Sequence, residues 1–341
     1  MTTLPRANFA HLLNLRGPYG VFEHAKMSQP RVEHGYCTDD VSRVAVVLAR
    51  QGEALGGHEV EEMLWSSLHF MELAQDASGM FRNRRHASGD WEFAASNGDW
   101  WGRAQWALGT MYARCDEPGL VERAGRAFQR GARVRSPWPR SMAFAMLGAS
   151  EFLTRSPDDP AARQLLGAGM AVLDRENISS SWRWPERRLT YANALLPEAL
   201  MAGSSYFGID HLVERSLDQL RWLLDVETPR GFLSVTPTSG RDDVHGVERF
   251  DQQPIEVATM ADACVRAYAL TGDDLWREGR EACEGWFTGA NDGHAVMFDP
   301  HSGGGFDGLT SRGPNLNQGA ESTLALLATQ QHVRRDVASM S

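Results

Sequence analysis

Apolar residues recur at spacings of three and four positions along most of the chain, whereas alternating, strand-like stretches are few and short. This periodicity is typical of α-helices. It predicts eleven long helices, and a further helix is expected near residues 6–15. The expected bounds of the eleven are 38–51, 57–76, 98–114, 118–133, 139–155, 159–176, 187–205, 210–226, 254–271, 273–288 and 317–332.

The predicted helices alternate between two kinds. One kind is rich in Ala, Gly, Met and Leu and carries its polar residues at its N-terminal end, as in 38–51 and 254–271. The other kind has an apolar stripe and a charged opposite face, as in 211–225. A helix that is apolar on most sides is buried, and an amphipathic one faces solvent. The chain is therefore expected to alternate inner and outer helices.

The starts of the inner helices recur along the chain about every 56 residues on average. Helical hairpins at a fixed period build a solenoid or a closed toroid. Six such units predict an all-α (α/α)6 toroid made by a single domain, 1–341. An open superhelix is the alternative, but the apolar inner helices and the lack of a polar terminal cap favour closure. The six inner starts are marked by Asp39, Asp99, Arg140, Tyr191, Gln253 and Gln318.

Three long connections, 79–98, 231–253 and 292–316, are rich in Gly and Asp, and each precedes an inner-helix start. They include brief strand-like pieces such as 231–235. Long loops in a compact protein are commonly functional. We expect them to gather on one face, together with the polar starts of the inner helices.

That face should carry several carboxylates, and glycoside hydrolysis needs two, one as acid and one as base or nucleophile. The candidates are Asp39, Asp40, Asp99, Glu256 and Glu321, with Asp307 in the last long loop. Simpler explanations exist: Asp39 with Arg43 and Asp99 with Arg103 have the i,i+4 spacing of helix ion pairs, and Asp307 has the setting of a turn residue. Glu256 and Glu321 each follow a pair of amides, which capping alone explains less well.

Aromatic and amide side chains at the same helix starts are typical of sugar sites, because flat rings stack on pyranose faces and amides bind hydroxyls. Packing in the core is the alternative role for these rings. The expected substrate-binding residues are His34, Tyr36, Trp100, Trp101, Tyr191, Asn193, Gln253, Asp307, Asn317 and Gln318.

Charge, apolar runs and cysteine spacing restrict the possible partners and the location of the protein. The net charge of −10 comes without a basic block, which excludes nucleic acid as a partner. No apolar run is long enough for membrane insertion, and residues 1–20 do not read as a signal peptide. The four cysteines lack CxxC spacing, which predicts reduced thiols in the cytoplasm, and neither a metal nor a cofactor motif is found.

Three motifs resemble the six-hairpin glycosidase-like proteins, a superfamily of (α/α)6 toroids that includes glycoside hydrolases and N-acylglucosamine epimerases. These are His34-Gly-Tyr-Cys-Thr-Asp-Asp40, Asp251-Gln-Gln-Pro-Ile-Glu256 with Asp262, and 304–309 with Asn315-Leu-Asn-Gln-Gly-Ala-Glu321. They look like a bacterial glycosyltransferase-associated, glycosidase-like group. The resemblance covers nearly the whole chain and implies the fold and a carbohydrate context, but no particular reaction.

The leading hypothesis is a glycoside hydrolase acting on an oligosaccharide, with Glu256 or Asp40 as acid and Glu321 or Asp99 as base. A second hypothesis is a sugar isomerase or epimerase working through His34 and His245. A third is a non-catalytic glycan-binding partner of a glycosyltransferase. A homo-oligomer is also considered. A phosphorylase would need a basic phosphate pocket, for which the candidates are Arg140, Arg187 and Arg188.

Overall fold

The computed structural model describes residues 4–51, 58–243 and 248–339, with side chains as far as residue 332. This part of the chain forms twelve α-helices: α1 Ala10–Asn14, α2 Thr38–Gln51, α3 His58–Ala74, α4 Asp99–Arg114, α5 Pro118–Gly131, α6 Pro139–Arg155, α7 Pro160–Leu173, α8 Leu195–Phe207, α9 Asp210–Glu227, α10 Pro254–Thr271, α11 Asp274–Phe287 and α12 Ala320–Ser339. Its eight short strands pair as antiparallel two-stranded ribbons: β1 Arg16–Gly17 with β2 Gly20–Val21, β3 Ala25–Lys26 with β4 Gln29–Pro30, β5 Tyr36–Cys37 with β6 Arg84–Arg85, and β7 Gly308–Thr310 with β8 Gly313–Asn315.

The even-numbered helices form a closed inner ring. Each packs against the next in the order α2, α4, α6, α8, α10 and α12, and α12 returns to contact α2. The odd-numbered helices lie outside; α3 to α11 each pack mainly on the inner helix that precedes them, and α1 packs on α12. The sixth hairpin therefore joins the two ends of the described chain. The predicted all-α (α/α)6 toroid is confirmed, while its assignment to a single domain stays a prediction.

Most predicted helices begin within two residues of their observed starts, but the helix expected at 187–205 is wrong at its start. Helix α8 begins only at Leu195. The preceding segment is held in an irregular path, with Ala192 at a φ of 44° and the Asn193 side chain accepting a hydrogen bond from the Thr190 amide. The apolar pattern there reflects burial of a loop. The strand-like piece at 231–235 forms no strand either.

Glycines bring α4 and α6 into close contact. A Cβ atom on Gly109 would lie 2.1 Å from the Gly148 carbonyl oxygen, and one on Gly102 would lie 2.1 Å from that of Ser141. Neither space admits a larger residue, so the two backbones approach one another directly.

The loops before the inner helices meet at one end of the toroid, which we call the mouth. Backbone bridges join Gln252 to Leu309 and Leu189 to Arg241, so loops that precede α8, α10 and α12 are tied together. None of the described helices is both long and apolar enough to cross a membrane.

Candidate active site

The mouth holds a cavity of about 790 Å³. The first turns of α2, α4 and α12 supply much of its wall, and the loops before them supply the rest. Its charged lining consists of six carboxylates and three guanidinium groups: Glu23, Asp39, Asp40, Asp99, Asp307, Glu321, Arg43, Arg84 and Arg103. The lining thus has a formal charge of −3, because acids outnumber arginines by three.

Arg43 joins two of the candidate acids. Its Nη1 lies 2.5 Å from Asp40 Oδ1, and its Nη2 lies 2.5 Å from Glu321 Oε2. Asp40 lies on the first turn of α2 with Arg43 three residues further along, whereas Glu321 lies on the first turn of α12. One guanidinium therefore bridges a carboxylate of α2 and a carboxylate of α12.

Asp40 is almost fully buried, with an exposed fraction of 2%. Burial raises its pKa to about 6; Glu321 and Glu23 add to the rise, and Arg43 opposes it. The Cys37 thiol donates a hydrogen bond to Asp40 Oδ2 over 3.1 Å. Both oxygens of Asp40 are thus engaged by other protein groups.

Glu23 lies next to Asp40 in the cavity wall. Arg84 Nη2 donates to Glu23 Oε1 over 2.7 Å, and His24 Nε2 lies 3.6 Å from the same oxygen. The second oxygen, Oε2, is buried without a hydrogen-bond partner. Burial raises the pKa of Glu23, and the charge of Arg84 limits the rise.

Arg103 on α4 approaches Asp39 across the boundary between two helices. Its Nε lies 3.1 Å from Asp39 Oδ1 without the geometry of a hydrogen bond. Burial and the neighbouring charge of Arg43 lower the pKa of Arg103 to about 10. The i,i+4 pairing predicted for Asp39 with Arg43 is therefore replaced by a pair between α2 and α4.

Asp99 differs from the other acids of the cavity in its contacts. Within the described residues, no hydrogen bond or ion pair to its carboxylate is found, so the predicted pair with Arg103 does not form. Burial raises the pKa of Asp99; Asp39 adds to this effect and Arg103 opposes it.

Asp307 caps the start of α12. Its Oδ1 accepts hydrogen bonds from the Gly319 amide over 2.8 Å and from the Ser322 hydroxyl over 3.0 Å. Burial raises the pKa of Asp307, and these two donors oppose the rise. It therefore lines the cavity while orienting the helix that carries Glu321.

Glu256 lies outside the cavity lining, although Gln253 and Ile255 beside it belong to the lining. Its oxygens accept from the Ala192 amide over 2.5 Å and from the Asn193 amide and side chain over 3.3 and 3.2 Å. Burial raises its pKa to about 8. The hydrogen bonds between Glu256 and the backbone and side chain at Ala192 and Asn193 thus hold the loop before α8 in place. This structural role accounts for two polar residues that the sequence predicts to lie at the ligand site.

Several other predicted binding residues also have structural contacts away from the cavity lining. Tyr36 and Trp101 are buried, Tyr36 stacking on Phe22 at 4.7 Å. Asn317 accepts from the Met27 amide, and Gln318 accepts from the Ser302 hydroxyl.

His34 is half-buried outside the lining, with its ring 5.0 Å from that of His24. His245 lies outside the described residues.

Aromatic rings do reach the cavity. Trp100 and Tyr191, two of the expected substrate-binding residues, line it, and Trp138 at the start of α6 joins them with 61% of its surface exposed. Trp100 is fixed by a hydrogen bond from its Nε1 to the Phe81 carbonyl over 2.8 Å. Arg140 lies over the Tyr191 ring at 5.2 Å.

Sequence reasoning missed Glu23, His24 and Arg84. They lie on or next to very short strands, where neither helical periodicity nor alternation marks a position. It noted Arg43 and Arg103 only as partners within their own helices. The positions of these two arginines could have indicated the acidic cluster. Each lies in an otherwise apolar inner helix, and a buried cation requires a partner.

Three cavity residues could offer atoms to a metal ion. The ligand atoms of Glu23, Cys37 and Asp40 lie within 4.8 Å of one another. However, Arg84 and Arg43 engage the two carboxylates, and the thiol donates to Asp40. The set therefore suits a hydrogen-bonded ion-pair cluster better than a metal centre.

The fold is shared with carbohydrate enzymes of known structure. A sugar epimerase from a ruminal bacterium matches with a TM-score of 0.72 at 12% identity, over 96% of this chain and 95% of that one. A cellulase from C. cellulolyticium in complex with cellobiose matches with 0.65 at 8%, over 93% and 88%. A GH76 α-mannanase from Bacteroides thetaiotaomicron matches with 0.65 at 10%, over 96% and 94%.

At such low identities these matches establish the fold alone, an (α/α)6 toroid. No protein-family model matches the sequence, and no curated protein matches it significantly.

Proposed function

We propose that this protein is a glycoside hydrolase acting on an oligosaccharide, with Asp99 as the general acid and Glu321 as the base or nucleophile. The supporting observation is a single cavity that combines a half-buried carboxylate, Asp99, to which no hydrogen bond or ion pair is found within the described residues, with a second carboxylate held by Arg43. The side chain of Glu321 is 39% exposed, so a substrate or a water molecule can reach it.

The roles follow from the environments of the two acids. A general acid must be protonated when the substrate binds, and burial with Asp39 nearby favours the protonated form of Asp99. Asp99 would protonate the glycosidic oxygen as the bond to the anomeric carbon breaks. Glu321, paired with Arg43 as a carboxylate, would take a proton from the attacking water or attack that carbon itself.

The rims of the cavity suit a sugar chain. Trp100, Trp138 and Tyr191 offer flat apolar faces beside a strongly polar floor. The names of two proteins with this fold, the cellulase and the α-mannanase, agree with hydrolysis.

The test is a product screen with a panel of bacterial oligosaccharides, in which mass spectrometry detects fragments that have gained one water molecule. Asp99→Asn and Glu321→Gln should each lower kcat by at least about a hundredfold, because each removes a proton-transfer or attacking group. Glu122→Gln, on an exposed outer helix, is the matched control and should keep full activity. Full turnover in both site variants would refute the assignment.

A sugar epimerase or isomerase is the second candidate. His24 lines the cavity next to His34, and the fold is shared with a sugar epimerase. Such a reaction would leave the substrate mass unchanged in ordinary water and incorporate deuterium from D2O. His24→Asn should abolish that exchange if this candidate is right. A glycosyltransferase or homo-oligomer partner and a cytoplasmic location stay predictions.

A further inference from the structure

Six buried polar atoms of cavity-lining residues lack hydrogen-bond partners within the described residues. Three are donors, namely Nε and Nη1 of Arg103 and Nε of Arg43. Three are acceptors, namely Oδ1 of Asp39, Oε2 of Glu23 and Oδ1 of Asn83. Arg103 Nε and Asp39 Oδ1 lie 3.1 Å apart, but without the geometry of a hydrogen bond. Buried polar groups in native proteins are almost always satisfied, so such a cluster indicates a missing partner.

The two arginines lie at the floor of the cavity. Arg43 and Arg103 also border a small space of about 40 Å³ further along the axis, which is otherwise lined mainly by apolar residues such as Val46, Phe144 and Leu324. Arg103 has an exposed fraction of 3%, and its guanidinium lies 4.0 Å from the centre of the Phe144 ring. The space below it is too small for a sugar ring, so a partner of that size must come from the mouth.

The mixture of donors and acceptors specifies the chemistry of that partner. An anion could satisfy the arginines but would be repelled by Asp39 and Glu23, and the lining already carries an excess of negative charge. A cation would satisfy only the two acids. A hydroxyl group both donates and accepts, and neighbouring hydroxyls on a ring can meet a carboxylate and a guanidinium together.

We propose that Arg103 and Asp39, with Glu23 and Arg43 beside them, bind the hydroxyl groups of one neutral, unsubstituted sugar ring at the floor of the cavity. This rests on the proposed function only in taking the ligand to be a sugar. It makes Arg103 a specificity-determining residue and predicts that sugars carrying a carboxylate or an amine at this position are rejected.

Binding can be measured without turnover by titrating calorimetrically with methyl glycosides of glucose, mannose and galactose, and with glucuronate, glucosamine and inorganic phosphate. At least one neutral glycoside should bind, and more tightly than the charged probes. Arg103→Met should weaken that binding about ten- to a hundredfold, since charge-assisted hydrogen bonds are lost. Arg126→Met, on an exposed helix surface, is the matched control.

Should Arg103→Met fail to fold, as judged by circular dichroism, Arg103→Lys keeps the charge but loses the planar fork and should still weaken binding. The proposal is overturned if no neutral glycoside binds at its solubility limit, if a charged probe binds as tightly, or if the folded Arg103 variant binds like the wild type. Neutral-sugar binding without hydrolysis would refute the proposed function alone. Hydrolysis with an unchanged KM in Arg103→Met would refute the present inference alone.

Discussion

At the scale of single residues, the partners of the three cavity arginines decide which acid is free to react. Arg43 is shared by Asp40 and Glu321, and Arg84 holds Glu23. Arg103 approaches Asp39, and Asp307 is occupied in capping α12. Asp99 therefore remains as a half-buried carboxylate, and in the proposed reaction its proton is given to the substrate.

The pH dependence of the reaction should report this proton. Activity needs protonated Asp99, so it should fall as the pH rises through a pKa above the ordinary aspartate value. Asp39 raises that pKa and Arg103 lowers it. Asp39→Asn removes the first effect and leaves Arg103 without its counter-charge, so the alkaline limb of kcat against pH should move to lower pH. An unmoved limb, or one at higher pH, would argue against Asp99 as the acid.

At the scale of elements, α4 and α6 are placed by glycines on their shared face. Gly109→Ala would drive a methyl group into the Gly148 carbonyl and should lower the free energy of unfolding by about 1–3 kcal/mol or more. Gly167→Ala in α7 is the matched control, because its Cβ would meet Phe207 only at 3.9 Å. It should raise that free energy by about 0.5–1 kcal/mol. Urea unfolding measures both, and equal effects would contradict this account.

The elements were the part of the structure that periodicity could predict. Inner and outer helices differ in their apolar patterns along the whole chain, so their order and most starts follow from sequence alone. The contacts of the site depend on which helices become neighbours. Asp39 and Arg103 lie on different helices, and Glu23, between β2 and β3, meets Arg84 on β6. Spacing along the sequence instead predicted ion pairs within one helix. It also could not distinguish a polar residue that hydrogen-bonds to a loop, such as Glu256, from one that contacts a ligand.

At the scale of the whole molecule, one carboxylate links three inner helices beside the small, mainly apolar space that lies below the cavity. Asp262 on α10 receives Arg50 Nη1 of α2 at 2.9 and 3.1 Å, and His332 Nε2 of α12 lies 2.5 Å from its Oδ1. All three side chains are more than nine-tenths buried. The link bridges α2 and α12, the two inner helices whose contact closes the ring.

Asp262→Asn should therefore destabilise the toroid by about 3–5 kcal/mol at neutral pH, because it leaves Arg50 buried without its counter-charge. Burial alone would raise the pKa of Asp262, but Arg50 and His332 more than offset this and hold it below its usual value. A lowered native pKa stabilises the fold above the unfolded value, about 4, and the contribution is lost as the pH falls through the native pKa. Chemical unfolding at a series of pH values should show that the difference in free energy of unfolding between variant and wild type narrows below about pH 4.

Asp158→Asn, whose side chain is 95% exposed, is the control and should change stability little at any pH. A gap that stays constant with pH would mean that Asp262 stabilises the ring by packing, and not through its charge.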